Sequence, residues 1–156
     1  MMVKAEGFQI EGGLKSLGTS FGFEQADVLG FLAERTDEMI ESYIDFNLIW
    51  DTLFGLIYGL MYVVWMSVLF KRSSEKWGYL NLLPLAQVIF DWLENYELAS
   101  LASQYLAEGT VSSSKANLAS IASMTKWTCS GLTYTLIIIG LGFMVARSVT
   151  KKRQPL

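Results

Sequence analysis

The chain has 156 residues, of which 52% are hydrophobic and only 17% charged, with a net charge of −3 and no histidine. Its mean hydropathy of +0.34 is too high for an ordinary soluble domain. The missing histidine removes the commonest ligand for haem, zinc, copper and iron, and the charge pattern resembles no nucleic-acid footprint.

Residues 1–25 read as a loose N-terminal arm rich in glycine and acids. Met1 to Phe23 has no basic start followed by an apolar core, so no signal peptide is expected and insertion relies on internal helices. Over residues 26–47 the apolar positions Val28, Phe31, Leu32, Met39, Ile40, Tyr43 and Ile44 follow helical spacing. Glu34, Asp37, Glu38 and Glu41 fall on other faces, which predicts an amphipathic helix. Its polar face is acidic rather than Lys-rich, so attraction to anionic lipid does not hold it, and packing on protein is the expectation.

Residues 48–148 are expected to form a three-helix transmembrane domain, followed by a basic tail at 149–156; the fold class is therefore an all-α membrane protein. Thr52 to Phe70 carries no charge and is bounded by Asp51 and by Lys71-Arg72, as a first span near 50–70 requires. Within it, Gly55 and Gly59 form a G-x-x-x-G pair that lets another helix approach closely. Pro84 places a helix start or kink in the second span, near 81–105, because proline cannot donate the backbone hydrogen bond of a helix interior. Gly109 to Ser114 is a polar loop, and the third span runs near 120–147 with an earlier start at Asn117 as an alternative. Cys129 reads as a small packing residue.

Basic residues set the orientation. Lys71, Arg72 and Lys76 sit in one loop and Arg147, Lys151, Lys152 and Arg153 follow the last span, so three spans put both clusters on one side. That side is expected to be cytoplasmic, or the matrix or stroma of an organelle, with the C-terminus on it. The membrane itself is a bacterial inner membrane or an organelle membrane.

The second span breaks the apolar rule. Gln87, Asp91, Glu94 and Asn95 share one helical face, since offsets of four, seven and eight return close to the starting direction. A charged side chain costs about 2.5 to 3.5 kcal/mol at a bilayer centre, so such a stripe has to face protein or water. Asn47, Asp51, Gly55 and Tyr58 give the first span a matching stripe, and Lys126, Ser130 and Thr133 lie on the third. Three acids against one lysine leave uncompensated negative charge at low dielectric, which calls for a bound proton, a cation or a partner's base.

Two readings follow. As interhelical glue, the stripe pairs Lys126 with one acid while Tyr58 and Asn95 satisfy the rest, and Asp91→Asn and Glu94→Gln cost little, since such bonds average about 0.6 kcal/mol. As a site, it handles a proton, an ion or a substrate. Calcium would need six or more oxygen ligands that the spacing does not assure, so no metal is assigned, and the sequence leaves the question of a cofactor open. Nucleotide, hydrolase and thioredoxin motifs are absent from the sequence. The aromatic-rich stretch Glu41 to Tyr58 reads as packing rather than as a pigment or quinone box.

Asp51 and Tyr58 opening one span, then Leu83-Pro84 and Asp91-Trp92-Leu93-Glu94-Asn95 in the next, resemble small uncharacterised integral membrane proteins with a D-x-x-E-N signature in a transmembrane helix. The resemblance covers Phe46 to Leu101. It implies the membrane fold and the choice of polar residues, and no activity; the further span expected in some members is missing from the N-terminal arm here.

The functional expectation is a small helical subunit or scaffold of a larger membrane assembly, with the bilayer and other membrane subunits as partners. The motives are the G-x-x-x-G face, an acidic arm and amphipathic helix that need something to pack on, and the lack of a catalytic motif. The rival is a small membrane enzyme or transporter using an intramembrane carboxylate site.

Overall fold

The computed structural model describes residues 6–70 and 75–152, which form only helices, turns and loops. Lys71 and Arg72 of the predicted first loop, and the end of the tail from Arg153, lie outside the described residues. The helices are α1 (Gln25–Ala33), α2 (Asp37–Asp45), α3 (Thr52–Phe70), α4 (Leu82–Glu108) and α5 (Ser113–Lys152), with short 3₁₀ turns at Glu6–Phe8, Leu17–Thr19 and Glu75–Asn81.

Where the sequence pattern gives one amphipathic helix, the backbone makes two. Asp27 Oδ2 accepts from the Glu24 amide at 2.7 Å to start α1, and Thr36 Oγ1 accepts from the Met39 amide at 3.4 Å to start α2, so a second N-cap interrupts the run. The far end differs too. Phe46–Asp51 forms a π-helical turn that carries α2 straight into α3, with no break at residue 47.

The arm is not loose over residues 6–24. Phe8, Leu17 and Phe23 enter one core with Val28, Phe31, Leu32, Ile40 and Tyr43, closed by Leu98 and Leu101 of α4 and Ala116 and Ala119 of α5. Arg35 ties the arm down: it donates to the carbonyls of Phe8 at 2.8 Å and Leu14 at 2.9 Å, and to that of Phe31. Burial lowers the pKa of this guanidinium, an effect that neighbouring Glu34 opposes. The anchors Phe8, Leu17 and Phe23 follow no helical period, which is why the arm reads as unstructured in sequence. These elements form an apolar head on one end of the α3–α4–α5 bundle.

Outside the head, large apolar side chains face outward. On α3 they include Leu53, Leu56, Ile57, Leu60, Val64 and Val68; on α5, Leu132, Ile138, Leu141 and Val145. Two helical runs, Asp37–Phe70 and Ser113–Ala146, are long and apolar enough to cross a membrane. The sequence reading gives three spans; α4 fails the same test of length and composition because Asp91, Glu94 and Glu97 lie inside it. Its exposed stripe is nonetheless apolar, with Leu82, Leu85, Ile89, Trp92 and Tyr96 recurring at helical spacing opposite the buried polar face.

The two glycines of the G-x-x-x-G pair set the distance between α3 and α4. A Cβ on Gly55 would lie 2.5 Å from Asp91 Oδ2, and one on Gly59 would collide with Val88 Cγ2. Packing inside the chain thus consumes this face. Gly59→Leu is expected to destabilise the bundle by about 1–3 kcal/mol, the range for overpacking a tight contact. Gly142→Leu should be near neutral, because nothing lies within 4 Å of a Cβ there. Equal melting midpoints for the two variants in detergent would refute the assignment.

Candidate functional site

The polar cluster sits where the head meets the apolar bundle. Lys126 of α5 is its centre: Nζ bonds to Glu94 Oε2, lies 3.3 Å from Asp91 Oδ1 and donates to the Gly18 carbonyl at 3.0 Å. Helical periodicity accounts for the convergence. Asp91, Glu94, Asn95 and Leu98 share the inward face of α4, while Ser123, Lys126, Ser130 and Thr133 share that of α5. Glu94 is 0% exposed, Asp91 4% and Lys126 5%, so this is a buried ion triad rather than a surface pair.

One lysine therefore serves two carboxylates. Asp51, at the last position of the π turn, is the third acid and has no ion pair within 4 Å among the described residues. Asn95 is fully buried with its side-chain amide within reach of the Asp51 carboxylate, although neither amide atom makes a hydrogen bond of full geometry. The Tyr58 hydroxyl lies within reach of Asp91 and Gln87, while Asp91 Oδ2, Gln87 Oε1 and Glu94 Oε1 make no hydrogen bond of full geometry. Buried polar atoms are almost always satisfied, so this concentration of orphaned atoms calls for water or a ligand. All seven polar residues singled out in the sequence, Asp51, Tyr58, Gln87, Asp91, Glu94, Asn95 and Lys126, come together here, with Gly55 against Asp91.

A cavity of about 420 Å³ opens beside the triad. Asp51, Asp91, Gln87, Lys126 and Ser130 supply its polar wall, and Gly18 and Thr19 of the arm border it. Aromatic rings line it as well. Phe54, Tyr58 and Tyr62 follow one another up α3 at 5.3 and 5.7 Å between ring centroids, and Tyr62 meets Tyr134 of α5 at 5.5 Å, with their hydroxyls 3.2 Å apart.

Three contributions escape the sequence reading. The aromatic ladder was legible as the i, i+4, i+8 series Phe54, Tyr58, Tyr62 on the same face as Asp51. Trp127 and Tyr134 also line the cavity. The arm's backbone carbonyls carry no side-chain signal: Gly18 caps Lys126, and Ser20 accepts from Ser123 Oγ at 2.7 Å.

The triad also changes the cost of the isosteric pair of substitutions. Asp91→Asn with Glu94→Gln would strip Lys126 of both of its carboxylate partners and leave a buried cation, so the small cost expected for neutral hydrogen-bond glue does not apply. No protein-family model, curated protein or solved structure matches the chain.

Proposed function

We propose that this chain is a small integral membrane protein whose α3, α4 and α5 cross the bilayer and whose head-proximal cavity is a solute-binding site of the transporter or membrane-enzyme class. The observation that carries the reading is the cavity walled by an ion triad, an extra carboxylate and several unpartnered buried polar atoms. Interhelical glue needs none of that open volume. The apolar outward stripe of α4 supports the third span, since its acids face protein and its Leu, Ile and Trp face out. The D-x-x-E-N resemblance supports the same residues.

The cavity then lies at the non-cytoplasmic edge of the bilayer, since it is near the N-terminal end of α3 while the basic clusters follow α3 and α5 in the sequence. A bacterial inner membrane or an organelle membrane fits this orientation. One experiment tests cavity and orientation together. Ser130→Cys, in a Cys129→Ser background, is expected to react in vesicles with a small impermeant methanethiosulfonate from the face opposite a C-terminal reporter. An unreactive thiol overturns the open cavity, and labelling from the reporter's own face overturns the orientation.

A second reading, the subunit or scaffold of a larger membrane assembly, has one observation in its favour. The exposed apolar stripe of α5 already begins at Leu118, Ile121 and Met124, in the head, and continues to Val149. At 1.5 Å per residue that is about 46 Å, longer than a hydrocarbon core of roughly 30 Å, and a partner subunit would cover the excess. The other motives weaken, because the G-x-x-x-G face and the amphipathic α1–α2 segment both find their packing within this chain.

A further inference from the structure

We infer that the cavity takes an organic ammonium group, held by Asp51 against the aromatic ladder of Phe54, Tyr58 and Tyr62. This rests on the solute-site reading above and names the chemistry of the solute. Charge comes first. Lys126 is spent on Glu94 and Asp91, so the three acids and one lysine leave the site net negative, and Asp51 is the carboxylate without an ion pair. A monovalent cation at Asp51 supplies the partner that this carboxylate lacks and halves the excess negative charge of the site.

Shape and surface decide which cation. A bare metal ion would need several oxygens converging on one point, and no group of three or more Asp, Glu, His or Cys side chains is placed to hold one among the described residues. Next to Asp51, on the same face of α3, the cavity is lined instead by a run of aromatic rings. Ring faces attract alkylammonium groups through their quadrupoles, most strongly where water is excluded. The volume of about 420 Å³ is that of a small organic molecule, far beyond a single ion. Gln87 of α4 is more than nine-tenths buried and lines the cavity, its Oε1 without a hydrogen bond of full geometry, and offers an acceptor to an N–H or hydroxyl of the ligand.

The ammonium could belong to a free solute or to a lipid headgroup, and the test separates them. The full chain is reconstituted in discs of phosphatidylglycerol, which has no ammonium group, and titrated calorimetrically with choline and with its neutral carbon isostere 3,3-dimethylbutanol. Choline is expected to bind at least about tenfold more tightly than the isostere, and Asp51→Asn to weaken choline by about tenfold, a loss of one close charge contact. Phe54→Leu, at a half-exposed ring with little bearing on the fold, should weaken choline several-fold. Loss of choline binding on doping the discs with phosphatidylcholine assigns the site to a lipid headgroup; unchanged binding assigns it to a free solute. Equal binding of choline and isostere, indifferent to Asp51→Asn, leaves the solute site standing and overturns the ammonium. No binding of choline at millimolar concentration also overturns the ammonium and leaves the solute-site reading standing; an unreactive Ser130→Cys thiol overturns that reading itself.

Discussion

Replacing Lys126 with methionine is expected to lower stability by about 3–5 kcal/mol, the cost of removing one partner from a buried ion group. Glu94 and Asp91 would be left as two acids 0% and 4% exposed, side by side and without a cation. For a chain of this size the melting midpoint should fall on the order of 10 °C. The pair Lys126→Met with Glu94→Gln, which leaves the net charge unchanged, should recover part of the loss, because it removes the more deeply buried of the two carboxylates that the single change orphans. A single variant that melts with the parent protein would show that the triad carries no such energy.

Phe8→Ala should be as damaging, at about 3–5 kcal/mol, although it lies in a segment that composition alone reads as a loose arm. Phe8 is 1% exposed and packs edge-on against Tyr43 at 5.0 Å and Phe46 at 5.1 Å. Its backbone carbonyl is also an acceptor of Arg35. Phe21 supplies the control from the same arm: it is 67% exposed, and Phe21→Ala should change the midpoint very little. Similar midpoints for the two variants in a denaturation series would contradict the packing of the arm.

How far the sequence reaches can be seen residue by residue. Periodicity makes α3, α4 and α5 legible, because nineteen uncharged residues from Thr52 to Phe70 and the 3–4 spacing of buried positions on α4 and α5 leave few alternatives. The same arithmetic brings Gln87, Asp91, Glu94 and Asn95 to one face. It fails where structure depends on contacts rather than period. Thr36 splits the amphipathic run because a single hydroxyl caps a new helix, and the π turn at Phe46–Asp51 keeps α2 and α3 joined where a boundary was expected. The arm's anchors are three isolated apolar residues, and its grip on Lys126 is a backbone carbonyl. Treating Glu41 to Tyr58 as packing alone missed that its last rings line a cavity, a distinction that depends on what stands opposite them.

The sharpest measurement of the central claim, that the cluster is a binding site rather than glue, needs no ligand at all. Glue and site give opposite signs for Asp51→Asn in thoroughly washed protein. An acid without an ion pair, set beside the carboxylate of Asp91 and kept for an absent cation, costs the empty protein stability. Removing its charge should raise the melting midpoint by about 2–4 °C, near 1 kcal/mol for this length. A midpoint that falls by a comparable amount would mean that Asp51 holds the helices together, and would contradict the binding site.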